Sequence, residues 1–188
     1  MLTKPDFAKN FNGLAIPDEL EKLFDFETNF LRHGFYANGF ELTANEEKYM
    51  LQSYSEDEQF LNSIIEFAEA NQSGATYGIW RRNNATNLGE CPIIITGDEG
   101  GVHVVAENLK ALLQIMTFDV EPMVDWDKVN YFKDEDDFEA SLNSEIFRNW
   151  LFENFKITTT NNADAIVKVA EEKYGNEFRS WMKIYYKV

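Results

Sequence analysis

Three short apolar runs in the middle of the chain, residues 76–81, 92–96 and 102–105, limit the fold more than any other feature. Each is rich in β-branched or aromatic residues and is bounded by turn-forming ones, so each reads as a strand. The connections, residues 83–90 and 97–101, hold the polar and glycine residues that turns between antiparallel strands require. Consecutive strands of one sheet are predicted.

Helical spacing dominates on both sides of these runs. Pro17 opens a helix whose first turn carries Asp18 and Glu19 at the positive end of the dipole, with Leu20, Leu23 and Phe24 on one face. Residues 35–42, punctuated by Gly34 and Gly39, suit a strand or hairpin. Thr43 and Glu46 form a capping box for a helix to about Tyr54, and Ser55 and Glu58 another for a helix over 56–70, where Phe60, Ile64, Phe67 and Ala68 follow at helical intervals. A turn at 71–74 leads into the strands. After them, helices are predicted over 106–118, along a stripe of Phe138, Leu142, Ile146, Trp150 and Leu151, and over 163–174 up to Gly175. The aromatic tail, 178–188, favours a strand. No repeat, linker or low-complexity tract divides the chain, so residues 1–188 are expected to form a single α+β domain, a central, mostly antiparallel sheet flanked by helices.

Charge narrows the function. Among 188 residues, 17 basic against 33 acidic side chains give a net charge of −16, while 44% hydrophobic and 15% aromatic content separates the chain from disordered acidic tails. A polyanion gains nothing by displacing counterions from nucleic acid or from an anionic membrane, so neither is expected as a partner. The N-terminal stretch lacks the apolar run of a secretory signal, no segment reaches the length of a membrane span, and Cys91 has no neighbour to pair with. A reducing cytoplasm is the expected compartment.

The chain offers little to catalysis. His33 and His103 are its two histidines, neither beside a serine or cysteine in a recognisable arrangement, and both read as structural. The run Gly97-Asp98-Glu99-Gly100-Gly101 could suggest a phosphate loop, but its carboxylates would repel phosphate and no lysine follows. It reads instead as a tight turn with glycines at positive φ. Metal binding by Asp98 and Glu99 is a residual alternative. Asp125-Trp126-Asp127 and the run Asp134, Glu135, Asp136, Asp137 lack the spacing of a calcium loop, and read as a solvated acidic face or a partner-binding one. Neither a cofactor nor a metal is expected. Trp80, Trp126, Trp150 and Trp181 become candidate interface anchors wherever the fold leaves one exposed.

The segment Asn71-Gln72-Ser73-Gly74-Ala75-Thr76-Tyr77-Gly78-Ile79-Trp80, then Pro92-Ile93-Ile94-Ile95, Gly97-Asp98-Glu99-Gly100 and Val104-Val105-Ala106-Glu107-Asn108-Leu109, resembles the SUKH superfamily of Smi/Knr cell-wall-regulator-like proteins. The shared order is a glycine-containing turn, a strand ending in tryptophan, a proline-led strand, a glycine-acid turn and a Val-Val-Ala strand entering a helix. The likeness covers about a quarter of the chain, and the family's N-terminal block is echoed only by Ile16-Pro17 and Gly39-Phe40. It implies a SUKH-like α+β domain without catalytic residues, of the kind that serves bacteria as immunity proteins against toxins and fungi as a wall-synthesis regulator.

The expected function is therefore that of a non-enzymatic, cytoplasmic, protein-binding domain, an immunity protein whose partner is a toxin, a nuclease among the candidates, with a basic surface. The expected contact residues are Asp98, Glu99, Asp125, Asp127, Asp134, Glu135, Asp136 and Asp137. A carboxylate-dependent enzyme, or a housekeeping scaffold tied to wall synthesis, are the alternatives.

Overall fold

The computed structural model describes residues 2–30 and 34–186. His33 and the last two residues of the tail lie outside them. The three central runs form strands β3 (Thr76–Trp80), β4 (Ile93–Thr96) and β5 (Val102–Ala106), preceded by β1 (Glu41–Leu42) and β2 (Ile64–Glu69). All pair antiparallel with their sequence neighbours, in the order β1-β2-β3-β4-β5. Side chains alternate across the sheet: Ile65, Tyr77, Ile79, Ile95 and Val105 enter one core, while Ile64, Trp80, Ile94 and Val104 enter a second. With both faces buried, the strands read as nearly continuous apolar runs.

The helices are α1 (Lys4–Lys9), α2 (Asp18–Phe30), α3 (Tyr49–Gln52), α4 (Glu58–Asn62), α5 (Leu109–Met116), α6 (Ser144–Phe155), α7 (Ala163–Ala170) and α8 (Asn176–Tyr185). The first core takes Phe7 from α1, Leu20 and Leu23 from α2, Leu112 from α5, and Phe147 and Leu151 from α6. The second takes Leu51 from α3, Phe60 from α4 and Phe178 from α8. Helix α7 packs along β5 and covers what would otherwise be a bare sheet edge. A two-residue ladder of β6 (Met123–Val124) and β7 (Val129–Asn130) stands apart from the main sheet. The α+β class with a central antiparallel sheet is as expected, and so is a helix after Pro17; the helix expected over 106–118 begins later, at Leu109, because Ala106 still belongs to β5 and Asn108 caps the helix.

Several local expectations are corrected. The segment 56–70 is not one helix but α4 followed by β2. A bulge between Glu66 and Ala68 breaks the two-residue period, so Phe67 and Ala68 both face the first core. Ile64, Phe67 and Ala68 thereby acquire a spacing that a helix would also satisfy. Asp57, not Ser55, caps α4, its carboxylate accepting from the Gln59 and Phe60 N–H groups. Thr43 caps no helix either: its N–H donates to the Phe67 carbonyl and extends the β1 pairing, while Glu46 pairs with Lys9. The hairpin expected at 35–42 shrinks to a turn at Gly39 and the two residues of β1.

The tail is the second correction. Residues 176–185 are helical, joined to α7 by a π-helical turn over Glu171–Gly175, so Gly175 ends nothing. Tyr174, Phe178, Trp181 and Tyr185 recur at intervals of four, three and four, and this stripe closes the second face of the sheet against Phe60 and Trp80. A Cβ at Gly175 would meet the Glu171 carboxylate, the movable end of a partly exposed side chain. In α6 the predicted stripe is partly displaced: Leu142 precedes the helix and is 79% exposed and Ile146 is 50% exposed, while Leu151 is buried as expected and is joined in the core by Phe147.

Candidate partner-binding surface

The turn between β4 and β5 closes through the Gly97 N–H donating to the Gly101 carbonyl at 2.9 Å, with Gly100 and Gly101 at φ of +114° and +87°. That backbone is open to glycine at little cost and leaves Asp98 and Glu99 exposed at the tip. The β6–β7 hairpin closes similarly, the Asp125 N–H donating to the Lys128 carbonyl at 2.9 Å. The two turns lie against each other. The Trp126 ring covers Gly100, the Asp125 carbonyl sits where a Cβ of Gly101 would be, and Val124 covers Gly97. His103 holds the contact from β5, its Nε2 2.7 Å from the Asp125 carbonyl oxygen.

Close packing fixes one side of the indole, yet Trp126 remains 63% exposed. The carboxylates of Asp98, Glu99, Asp125 and Asp127, all exposed, come from the two turns that meet at it. The result is an aromatic anchor among negative charges, carried on loops braced by hydrogen bonds and by glycine contacts. Met123, half exposed, lies just before it on β6.

Of the eight acidic residues expected to make contact, the structure thus gathers four. Asp134, Glu135, Asp136 and Asp137 follow β7 on a turn of their own, where the Asp136 N–H donates to Asp134 Oδ1 at 3.1 Å. They are exposed as well, but Glu135 lines a different groove, with Arg148 and Thr117. Of the four tryptophans, Trp80 is buried in the second core, and Trp150 and Trp181 are half-buried in ring clusters with Phe147 and Phe178.

Several ionisable groups that matter were not singled out by sequence. Glu66 is buried between β1 and β3, accepting from Thr76 Oγ1 at 2.5 Å and Asn45 Nδ2 at 2.9 Å, and burial pushes its carboxyl up. Lys48 reaches inward to the Leu61 and Ile64 carbonyls, and burial pulls its ammonium down. Asp119 is buried and accepts from the Asn38 and Ser141 N–H groups and from Ser141 Oγ. Glu66 and Asp119 each sit between apolar neighbours, a pattern that an amphipathic helix or a loop produces equally well, and Lys48 follows Glu46 and Glu47 in a stretch that reads as solvated.

Among the described residues, no group of three or more His, Cys, Asp or Glu side chains is arranged to hold a metal ion, and no helix is long and apolar enough to cross a membrane. Compared with protein-family models, with curated proteins and with solved structures, the chain matches none.

Proposed function

We propose that this chain is a non-enzymatic protein-binding domain of the cytoplasm, an immunity protein that neutralises a toxin by covering its basic surface. The observation that carries the reading is Trp126, 63% exposed on a braced turn and set among Asp98, Glu99, Asp125 and Asp127. Exposed tryptophans fixed by their surroundings make strong interface anchors, since little side-chain freedom remains to be lost on binding. Carboxylates around such an anchor repel polyanions and steer basic surfaces toward it. A nuclease cleft, lined with cations to hold a phosphate backbone, has the complementary chemistry. The resemblance of residues 71–109 to the SUKH superfamily supports the same reading.

The test begins with the partner that co-purifies from the native cell. Association should slow steeply as salt rises, because exposed charges more than about 8 Å apart are screened at physiological ionic strength. Trp126→Ala should raise the dissociation rate by about 30-fold or more, the effect of a central anchor. Neutralising Asp98, Glu99, Asp125 and Asp127 together should chiefly slow association. Salt-insensitive association, or a Trp126→Ala variant that binds as well as the parent, would overturn the proposal.

A further inference from the structure

A groove lined by two basic side chains runs against the net charge of the molecule. It has a volume of about 490 Å³, within the range of small-molecule sites, and lies where the end of α5, the segment after β7 and α6 meet. Lys133 and Arg148 line it, with Thr117 and Thr160 beside them and Phe118 and Phe132 as apolar wall. Arg148 is held in place: its Nε and Nη2 donate to the Thr117 carbonyl at 3.3 and 3.0 Å, and its Nη1 has no partner among the described residues. The Lys133 ammonium lies 4.5 Å from the Phe118 ring centre and 3.8 Å from that of Phe138.

Among the described residues, eight of the fifteen lysines and arginines are in ion pairs. Among the described residues neither Lys133 nor Arg148 is in an ion pair. Burial holds the Lys133 ammonium below its usual range, Asp119 acts against this, and Arg148 adds repulsion. Asp119 makes no direct ion pair with either cation, its oxygens accepting from Asn38 and Ser141, although its charge still acts on Lys133 from a distance. Two cations thus line one groove without a direct ion-pair partner among the described residues, one of them with a free donor. The overall charge of −16 does not forbid an anion here, since screening confines that field to about 8 Å at physiological salt while the two cations act at contact. Glu135, exposed on the same groove, is the one local charge opposing it among the lining residues.

We propose that this groove binds a small organic anion, a phosphate or carboxylate group joined to an apolar body. The charged group sits between Lys133 Nζ and Arg148 Nη1, and the apolar part lies against Phe118 and Phe132. The proposal is independent of the Trp126 surface, with which the groove shares no residue.

The test is a titration of the full chain, followed by the amide resonances of Thr117, Lys133, Arg148 and Thr160, with phenyl phosphate, benzoate and the neutral benzyl alcohol. At least one of the two anions should shift these resonances saturably, benzyl alcohol should not, and the stronger anion identifies the charged group. Lys133→Met and Arg148→Gln should each weaken binding about tenfold, as loss of a charge-assisted contact does, with the rest of the spectrum reporting that the variant is folded. Glu135→Gln should tighten it a few-fold, and Asp98→Asn should leave it unchanged. No saturable shift with either anion, equal shifts with benzyl alcohol, or undiminished binding by both cation variants would overturn the proposal.

Discussion

Tyr36 donates its hydroxyl to Glu27 Oε2 at 2.9 Å. Burial pushes the Glu27 carboxyl from its ordinary 4.5 up to about 7, the Tyr36 and Leu42 donors acting against the shift and the Glu41 charge with it. Below about pH 4.5 the group is protonated whether the chain is folded or not. Between 4.5 and about 7 the folded chain keeps a proton that the unfolded chain has released, so stability falls as pH rises through this window, and above it the loss is complete. Glu27→Gln keeps an acceptor for Tyr36 and removes the charge. Urea unfolding should find the variant equal to the parent near pH 4 and more stable at pH 8 by about 1–2 kcal/mol, a figure reduced for the partial exposure of the side chain. Equal stability at both pH values would contradict this assignment. Nothing around Glu27 in the sequence foretells the shift, which arises because residues 36 and 42 fold back over it. Glu66 is similar: within the segment 56–70 that reads as a helix in sequence, it is a buried acceptor for Asn45 and Thr76.

The contact between the β4–β5 and β6–β7 turns rests on Gly101. An alanine there must hold φ near +87° and would also drive its Cβ into the Asp125 carbonyl, whereas Gly13, at +81°, has open space around it. Gly13→Ala should therefore cost about 1 kcal/mol and Gly101→Ala about 2–4 kcal/mol, measured by chemical unfolding. Gly101→Ala should also quench less and expose more of Trp126, detectable as a red shift of its fluorescence. Similar costs at the two positions would mean that the turns do not brace each other. That a glycine turn would occupy 97–101 was legible, because Gly-Asp-Glu-Gly-Gly suits few other conformations. That Trp126 would lie on it was not, because the contact joins segments more than 20 residues apart. The same limit explains β2 and α8. In β2 a single bulge counterfeits a helical period, and in α8 the aromatic residues that suggested a strand are a helical stripe whose purpose appears only with Phe60 and Trp80 opposite.

A charge of −16 on a chain this size repels itself in the folded state more than in the expanded one. Added salt shortens the reach of that repulsion from about 30 Å at 0.01 M to about 8 Å at 0.15 M. The melting temperature at neutral pH should therefore rise with sodium chloride by about 2–4 °C, which corresponds to about 1 kcal/mol for a chain of this length. The rise should shrink in acid as carboxylates protonate. A melting temperature that falls with salt would show that surface ion pairs such as Lys173–Glu107 outweigh the repulsion. No local pattern marked the groove of Lys133 and Arg148: the two residues are 15 positions apart and line one groove only because α6 packs beside the segment after β7.

Patterns that recur within a few residues were enough to define the β3–β4–β5 meander, the start of α2, the presence of a helix after β5, the α+β class and the acidic turns. Propensity, capping and turn geometry act over that distance, and no later folding step reverses them in those segments. Whether Ile64–Glu69 becomes strand or helix, which tryptophan faces solvent, which four carboxylates gather around it, and where two cations converge are matters of contacts between distant parts of the chain. Burial and long-range pairing carry more free energy than local preference, so those contacts decide wherever the local pattern fits two structures equally well.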